Sequence, residues 1–145
     1  MLHGTILTPL RIIPNPLGSV YHALKRGDPG YSDFGEVYFS SIEAGAVKGW
    51  KRHRAMVSNL VVPVGEVRIV VFDDRADSPT RSQWMDVRLG PKNYHRLTLP
   101  PGLWFAFQGT GAGTNLMMNL ASILHDPAES DTLALDDARF AEHVW

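Results

Sequence analysis

The chain contains no cysteine, which excludes a disulfide framework, a thiolate metal site and a cysteine nucleophile, and fits a reducing compartment. The cytoplasm is the expected location. No apolar run approaches the roughly 18 residues that a membrane span needs, and MLHGTILTPLRIIPNPL lacks a basic leader followed by a continuous apolar stretch. A soluble protein with no membrane partner is expected. Neither sign of charge is in excess: 14 Lys plus Arg stand against 15 Asp plus Glu, for a net charge of -1. The field of the whole molecule therefore gives no reason for attraction to nucleic acid, and any anion site must be local. Sequence repeats, low-complexity segments and long stretches of i, i+3, i+4 apolar spacing are also missing.

What is present is a chain of 145 residues, 44% of them apolar, enough to bury the core of one domain over 1–145. Apolar residues recur at period two or in short solid runs. The pattern predicts strands at 5–7, 19–24, 35–42, 46–54, 57–63, 65–73, 83–89, 94–99, 103–107 and 115–123. Many short strands at regular spacing predict an all-β sandwich or barrel. Pro63-Val64-Gly65, Gly90-Pro91-Lys92-Asn93 and Pro100-Pro101-Gly102 supply turn chemistry between them. Gly109-Thr110-Gly111-Ala112-Gly113 precedes a strand and not a helix, so it reads as a hairpin loop and lacks the helix N-terminus that makes such glycines bind pyrophosphate. After Ile123 the chain turns acidic, and 136–144 is expected to form a short helix or a surface arm.

Lys48 to Ala55, KGWKRHRA, concentrates basic residues around one tryptophan. Alternation along a strand puts Lys51 and His53 on one side and Trp50, Arg52 and Arg54 on the other, with Lys48 on the latter side unless Gly49 permits a bulge. One side can be a solvated face in which arginine stems run past the tryptophan. On the other, Lys51 and His53 point into whatever the barrel encloses, where a cationic pair needs an acidic partner, a shifted pKa or an anionic ligand. Single-strand nucleic acid is disfavoured by the lack of a second basic cluster and by the neighbouring Glu36, Glu43, Asp73 and Asp74. Metal is disfavoured as well. A cupin-type site needs His-x-His on one strand, and here the first position is Lys51, while the downstream position is Phe105. No metal and no cofactor is expected.

Val64 to Trp84, VGEVRIVVFDDRADSPTRSQW, resembles the central segment of the dTDP-4-dehydrorhamnose 3,5-epimerase family, with its Asp-x-Arg, Ser-Pro-Thr and Trp in that order. Leu89 to Phe107, LGPKNYHRLTLPPGLWFAF, resembles the family's Asn-containing turn and Pro-x-Gly segment. Lys48 to Arg54 is also similar to the Arg-Gly-x-His-x-His-Lys strand of the related dTDP-sugar 3,4-ketoisomerases, with the second histidine kept. The resemblance implies a double-stranded β-helix, the jelly roll of the cupins. It implies a homodimer in which N-terminal strands help complete the partner's sheet. It also implies an activity: proton abstraction beside the ketone of a nucleoside-diphosphate keto-hexose in surface-polysaccharide biosynthesis.

Three of the residue types this chemistry uses in the epimerases are replaced: the histidine position reads Lys51, the tyrosine position Asn119 and a substrate-binding lysine position Ser58. The supporting aspartate corresponds to Asp137. The resemblance therefore implies Lys51, His53 and Asp137 as the catalytic group, with Lys51 acting either as a base of depressed pKa or as the cation that holds an enolate oxygen. It further implies Lys48 at the diphosphate, with Glu36, Tyr38, Tyr21, Ser58, Asn119 and Trp104 as substrate contacts. The replacements leave a second reading open, a catalytically silent module that binds a sugar nucleotide or carbohydrate.

Overall fold

The computed structural model contains twelve strands among its described residues, which are all residues except Val144. They are β1 (Ile6–Pro9), β2 (Ile12–Ile13), β3 (Val20–Tyr21), β4 (Glu36–Ile42), β5 (Val47–His53), β6 (Ser58–Val64), β7 (Val67–Phe72), β8 (Trp84–Leu89), β9 (His95–Leu99), β10 (Trp104–Gly109), β11 (Asn115–Ala121) and β12 (Ser130–Thr132). One sheet has the order β1-β9-β6-β11-β4 and the other β12-β5-β10-β7-β8, with β2 and β3 paired apart from both. From β4 to β11 the chain passes back and forth between the two sheets, save for the β7–β8 pair within one sheet, the wrapping of a double-stranded β-helix.

The predicted strands are found, with shifted ends. The expected strand over 19–24 shrinks to Val20–Tyr21, and β2 and β12 were not foreseen. Both new strands are short, and β12 is the wholly polar Ser-Asp-Thr, so neither carries an apolar period. The helix expected within 136–144 is one 3-10 turn, Ala138–Phe140, inside an arm.

Period-two alternation sends each central strand's side chains to two different interiors. Val67, Ile69 and Val71 of β7 meet Leu60, Val62, Leu97, Leu99 and Met117 of the facing sheet in the core between the sheets. Val70 and Phe72, of opposite parity, face outward and join Trp50, Trp104, Ala106 and Trp84 beneath the C-terminal arm, whose Phe140 lies stacked on Trp50 with ring centroids 4.1 Å apart. The outer face of the first sheet is covered by the segment before β4. There the fully buried Arg96 donates to the carbonyls of Ala23 (2.7 Å) and Pro29 (2.6 Å), and Asn59 Nδ2 donates to Gly30 O (3.1 Å).

The Asp-x-Arg and Ser-Pro-Thr residues form a structural knot. The buried Asp73 carboxylate accepts from Arg75 (2.7 Å), Ser78 (2.6 Å) and Thr80 (2.7 Å), closing the loop between β7 and β8. Burial alone would raise the Asp73 pKa, but these donors outweigh it and hold the carboxyl far below the usual range. Arg75 also donates to His3 O, and Thr80 accepts from His3 N, which ties the N-terminus to the same knot.

The Gly109 to Gly113 loop joins β10 to β11 as a hairpin, as expected. Its shape is set by the buried Asn115 side chain, which accepts from Gly111 N (3.0 Å) and donates to Gly111 O (3.0 Å) and Gly113 O (3.2 Å).

Candidate active site between the sheets

The site begins with a register slip. Phe105 of β10 pairs with Lys51 of β5, but Phe107 pairs with Lys48, so three residues of β5 span the distance that two span on β10. Directly paired residues share a face, and Phe105 and Phe107 both belong to the core between the sheets. Lys48 and Lys51 are therefore both on the inward face, the outcome that the bulge at Gly49 was needed to produce. The glycine is required there: its φ is +139°, and a Cβ would lie 2.4 Å from Ala106 Cβ and 2.7 Å from Ala106 Cα.

Lys48, Lys51, Phe107, His125, Ser130 and Thr132 line a cleft of about 460 Å³ along this edge. Deeper on the inward face of β5, His53 is buried with its ring stacked on Phe105. Its Nδ1 lies 2.7 Å from Glu129 Oε2. The other Glu129 oxygen accepts from the backbone N–H of Ala55 and Met56, both at 2.8 Å, so the carboxylate is fixed from two sides. Burial alone would raise the Glu129 pKa, but the two N–H donors and His53 together bring it below its usual value. Burial lowers the His53 pKa against the opposing pull of Glu129, and Lys51 and His125 lower it further. A neutral imidazole beside a carboxylate donates from Nδ1 and keeps its lone pair on Nε2. That Nε2 is buried and without a hydrogen-bond partner among the described residues.

The facing sheet supplies the opposite wall. Tyr38 pairs with Asn119, and Glu36 and Ser58 both pair with Ala121, so their side chains share the inward face. Asn119 Nδ2 donates to Tyr38 Oη (2.9 Å) and lies 3.5 Å from Ser58 Oγ, while its Oδ1 accepts from Asn59 N (3.2 Å). Since Tyr38 Oη accepts this bond, its own proton remains available to a ligand. Glu36 Oε1 is buried and without a hydrogen-bond partner among the described residues.

Seven of the ten expected site residues thus lie on the inward faces of the two sheets: Lys48, Lys51 and His53 on one, and Glu36, Tyr38, Ser58 and Asn119 on the other. Three do not. Asp137 binds Arg139 (3.0 Å to Nε) and caps the 3-10 turn on the outer side, so the expected pairing with Lys51 does not form. Trp104 pairs with Arg52 on the outward face, is 1% exposed and donates from Nε1 to Asp74 (2.9 Å) beneath the Arg52 guanidinium. Tyr21 lies in β3, exposed, edge-on to Tyr94. Glu129 was missed by sequence reasoning, because it lies in the acidic segment after Ile123 and meets His53 only in the fold. The one available signal was Asp126-Pro127, a turn-initiating pair that here caps the 3-10 turn Pro127–Glu129.

An inward-facing wall of ionisable groups inside a double-stranded β-helix defines a cupin built to hold a polar ligand. A model of the dTDP-4-dehydrorhamnose 3,5-epimerase family matches residues 21–143, and the chain belongs to that family of sugar-nucleotide epimerases. It is 41% identical to a dTDP sugar isomerase from Desulfovibrio desulfuricans G20, over 99% of this chain and 92% of that one, with a TM-score of 0.93. It is 30% identical over 95 residues to a probable low-salt glycan biosynthesis epimerase from Haloferax volcanii; that match covers 65% of this chain and 61% of the relative. At the level of fold alone it resembles a 3'-monoepimerase from Streptomyces bikiniensis solved with dTDP, at 21% identity and a TM-score of 0.83, over 94% of this chain and 72% of the other.

Replacing Gly49 with alanine is expected to force β5 from β10 and to lower the unfolding free energy in urea by roughly 2–4 kcal/mol, from the positive φ and the overlap with Ala106. The same change at Gly113, where a Cβ meets nothing within 4 Å, is expected to shift it by less than about 0.5 kcal/mol. Equal small effects at both positions would contradict the packing argument.

Proposed function

We propose that the protein is an epimerase or isomerase of a dTDP-4-keto-6-deoxyhexose-like sugar nucleotide, serving surface-polysaccharide biosynthesis. The observation that carries the reading is the buried His53 ring, stacked on the inward Phe105 that pairs with Lys51, whose Nε2 has no hydrogen-bond partner among the described residues. A ketone at C4 acidifies the neighbouring C–H bonds, so a neutral imidazole can remove a proton and leave an enolate. In this reading the Lys51 ammonium, paired with Phe105, holds the enolate oxygen. Between the two roles left open for Lys51, the free imidazole favours the cation, since His53 already supplies a lone pair. Lys48, at the rim of the cleft, suits a phosphate oxygen as a point charge. On the opposite wall Tyr38 Oη, oriented by Asn119, can return a proton to the carbon skeleton or hold a sugar hydroxyl. Similarity to a dTDP sugar isomerase and to a probable glycan biosynthesis epimerase supports the same reaction class.

Deuterium wash-in from heavy water into a dTDP-4-keto-6-deoxyhexose tests the chemistry. Wild-type protein is expected to exchange a carbon-bound proton beside the ketone, with a rate that rises with pH through a His53 pKa below its ordinary value of 6.5, because the imidazole must be neutral. No exchange above a Lys51→Ala/His53→Ala control would remove the enzyme reading. Calorimetry with dTDP then decides what is left, since binding without exchange describes the silent module.

The homodimer belongs to the same proposal. The outward face of the edge strand β4 leaves Phe39 59% and Val37 42% exposed, an apolar surface that suits a second copy. Light scattering is expected to give twice the chain mass for wild type and the single mass for Phe39→Asp. A wild-type monomer at micromolar concentration would contradict it.

A further inference from the structure

We propose that Glu129 is a positioning residue that fixes the tautomer of His53, holding the proton on Nδ1 so that the Nε2 lone pair faces the space between the sheets. The inference rests on the role given to His53 above, but its geometry stands independently of any substrate. Three observations point to it. The carboxylate is 2.7 Å from Nδ1 and only 9% exposed. Its second oxygen is held by the Ala55 and Met56 N–H groups, so the carboxylate cannot turn away without leaving two backbone donors unpaired. The opposite ring nitrogen is buried and has no partner among the described residues.

The position of Glu129 is secured by main-chain pairing. Arg54 N donates to Glu129 O (2.9 Å) at the point where β12 begins, and Ser130 then pairs with His53 itself. The 3-10 turn Pro127–Glu129, capped by Asp126, delivers the carboxylate to the end of β5. The support that the family resemblance assigned to Asp137 is thus provided from a different element, and the supported histidine lies two residues further along the strand than the position now occupied by Lys51. The charged and titratable groups acting on the His53 ring are Glu129, Lys51 and His125; Phe105 covers its face.

Glu129→Gln separates positioning from mere support. The carboxamide oxygen can still accept the two backbone N–H groups, but its NH2 then faces Nδ1, which must become an acceptor, and the ring proton moves to Nε2. Nitrogen-15 NMR of ring-labelled histidine is expected to show the Nδ1–H tautomer for His53 in wild type and the Nε2–H tautomer in Glu129→Gln. In the wash-in assay the variant is expected to lose at least about 100-fold in kcat with KM changed by less than about threefold. The acidic limb of its pH profile is expected to move to lower pH, because a contribution that raises the His53 pKa has been removed. Glu129→Asp, which keeps the charge, is expected to restore the Nδ1–H tautomer in part. A loss through misfolding alone would lower the plateau without moving the limb or the tautomer.

An Nε2–H tautomer in wild type overturns the proposal even if the variant fails to fold. So does an unchanged tautomer with exchange within threefold of wild type in Glu129→Gln. A tautomer that switches as expected in a protein that exchanges no substrate proton upholds the role of Glu129 and removes only the enzymatic reading above it.

Discussion

The slip of β5 against β10 at Gly49 is the constraint on which the rest of the site depends. A regular strand would present Lys51 and His53 to one side and Lys48, Trp50 and Arg52 to the other. With three residues of β5 spanning two of β10, Lys48 joins Lys51 on the inward face while Trp50 keeps its outward direction. The exchange takes place at the one residue whose missing Cβ lets the two strands approach, with Ala106 on the other side. One glycine thereby places two cations on one wall without removing the tryptophan from the other.

The two faces of β5 then carry different loads. The outward face contributes Trp50, fully buried beside Val70, Trp104 and Ala106 and capped by Phe140 of the arm. Burial of a side chain this large is among the stronger contributions available to a chain of this size, on the order of 2–3 kcal/mol each. Arg52 also lies on this face, paired with Asp131 (2.8 Å) and stacked over Trp104. Its neighbour Arg54 binds the other oxygen of the same Asp131. The inward face is free to keep groups that burial disfavours, because the aromatic packing on the far side holds the strand in place. The buried His53 is tolerated on a scaffold whose stability comes from elsewhere.

Much of this was legible in the sequence, and the limits are physical. Period-two patterning in β4 to β11 marked the sheets, and the same rule put Lys51 and His53 inward and Trp50 and Arg52 outward. Gly49 could be recognised as the place where a bulge would redirect Lys48. The two rules that failed both concern long-range contacts. The resemblance put Trp104 among the ligand contacts, although its parity in β10, paired with Arg52, sends it to the outer face beneath the arm. Asp137 was assigned the supporting role by motif alone, while the carboxylate that reaches the histidine is Glu129, 76 residues from it in the chain. Neither an acidic tail nor a three-residue polar strand such as β12 announces its partner, because its pairing is fixed by the edge that β5 leaves open and not by its own pattern.

The fold, the slipped strand and the carboxylate-supported imidazole together make up the site proposed for an anionic sugar conjugate. The most direct test is a crystal structure of the protein with dTDP bound. The account predicts the diphosphate between the sheets, against Lys48 and Lys51, with His53 Nε2 facing the space where the sugar would lie. A nucleotide seated on the outer face over Trp104 and Arg52, or Lys48 turned away from Phe107 with the cleft empty, would contradict it.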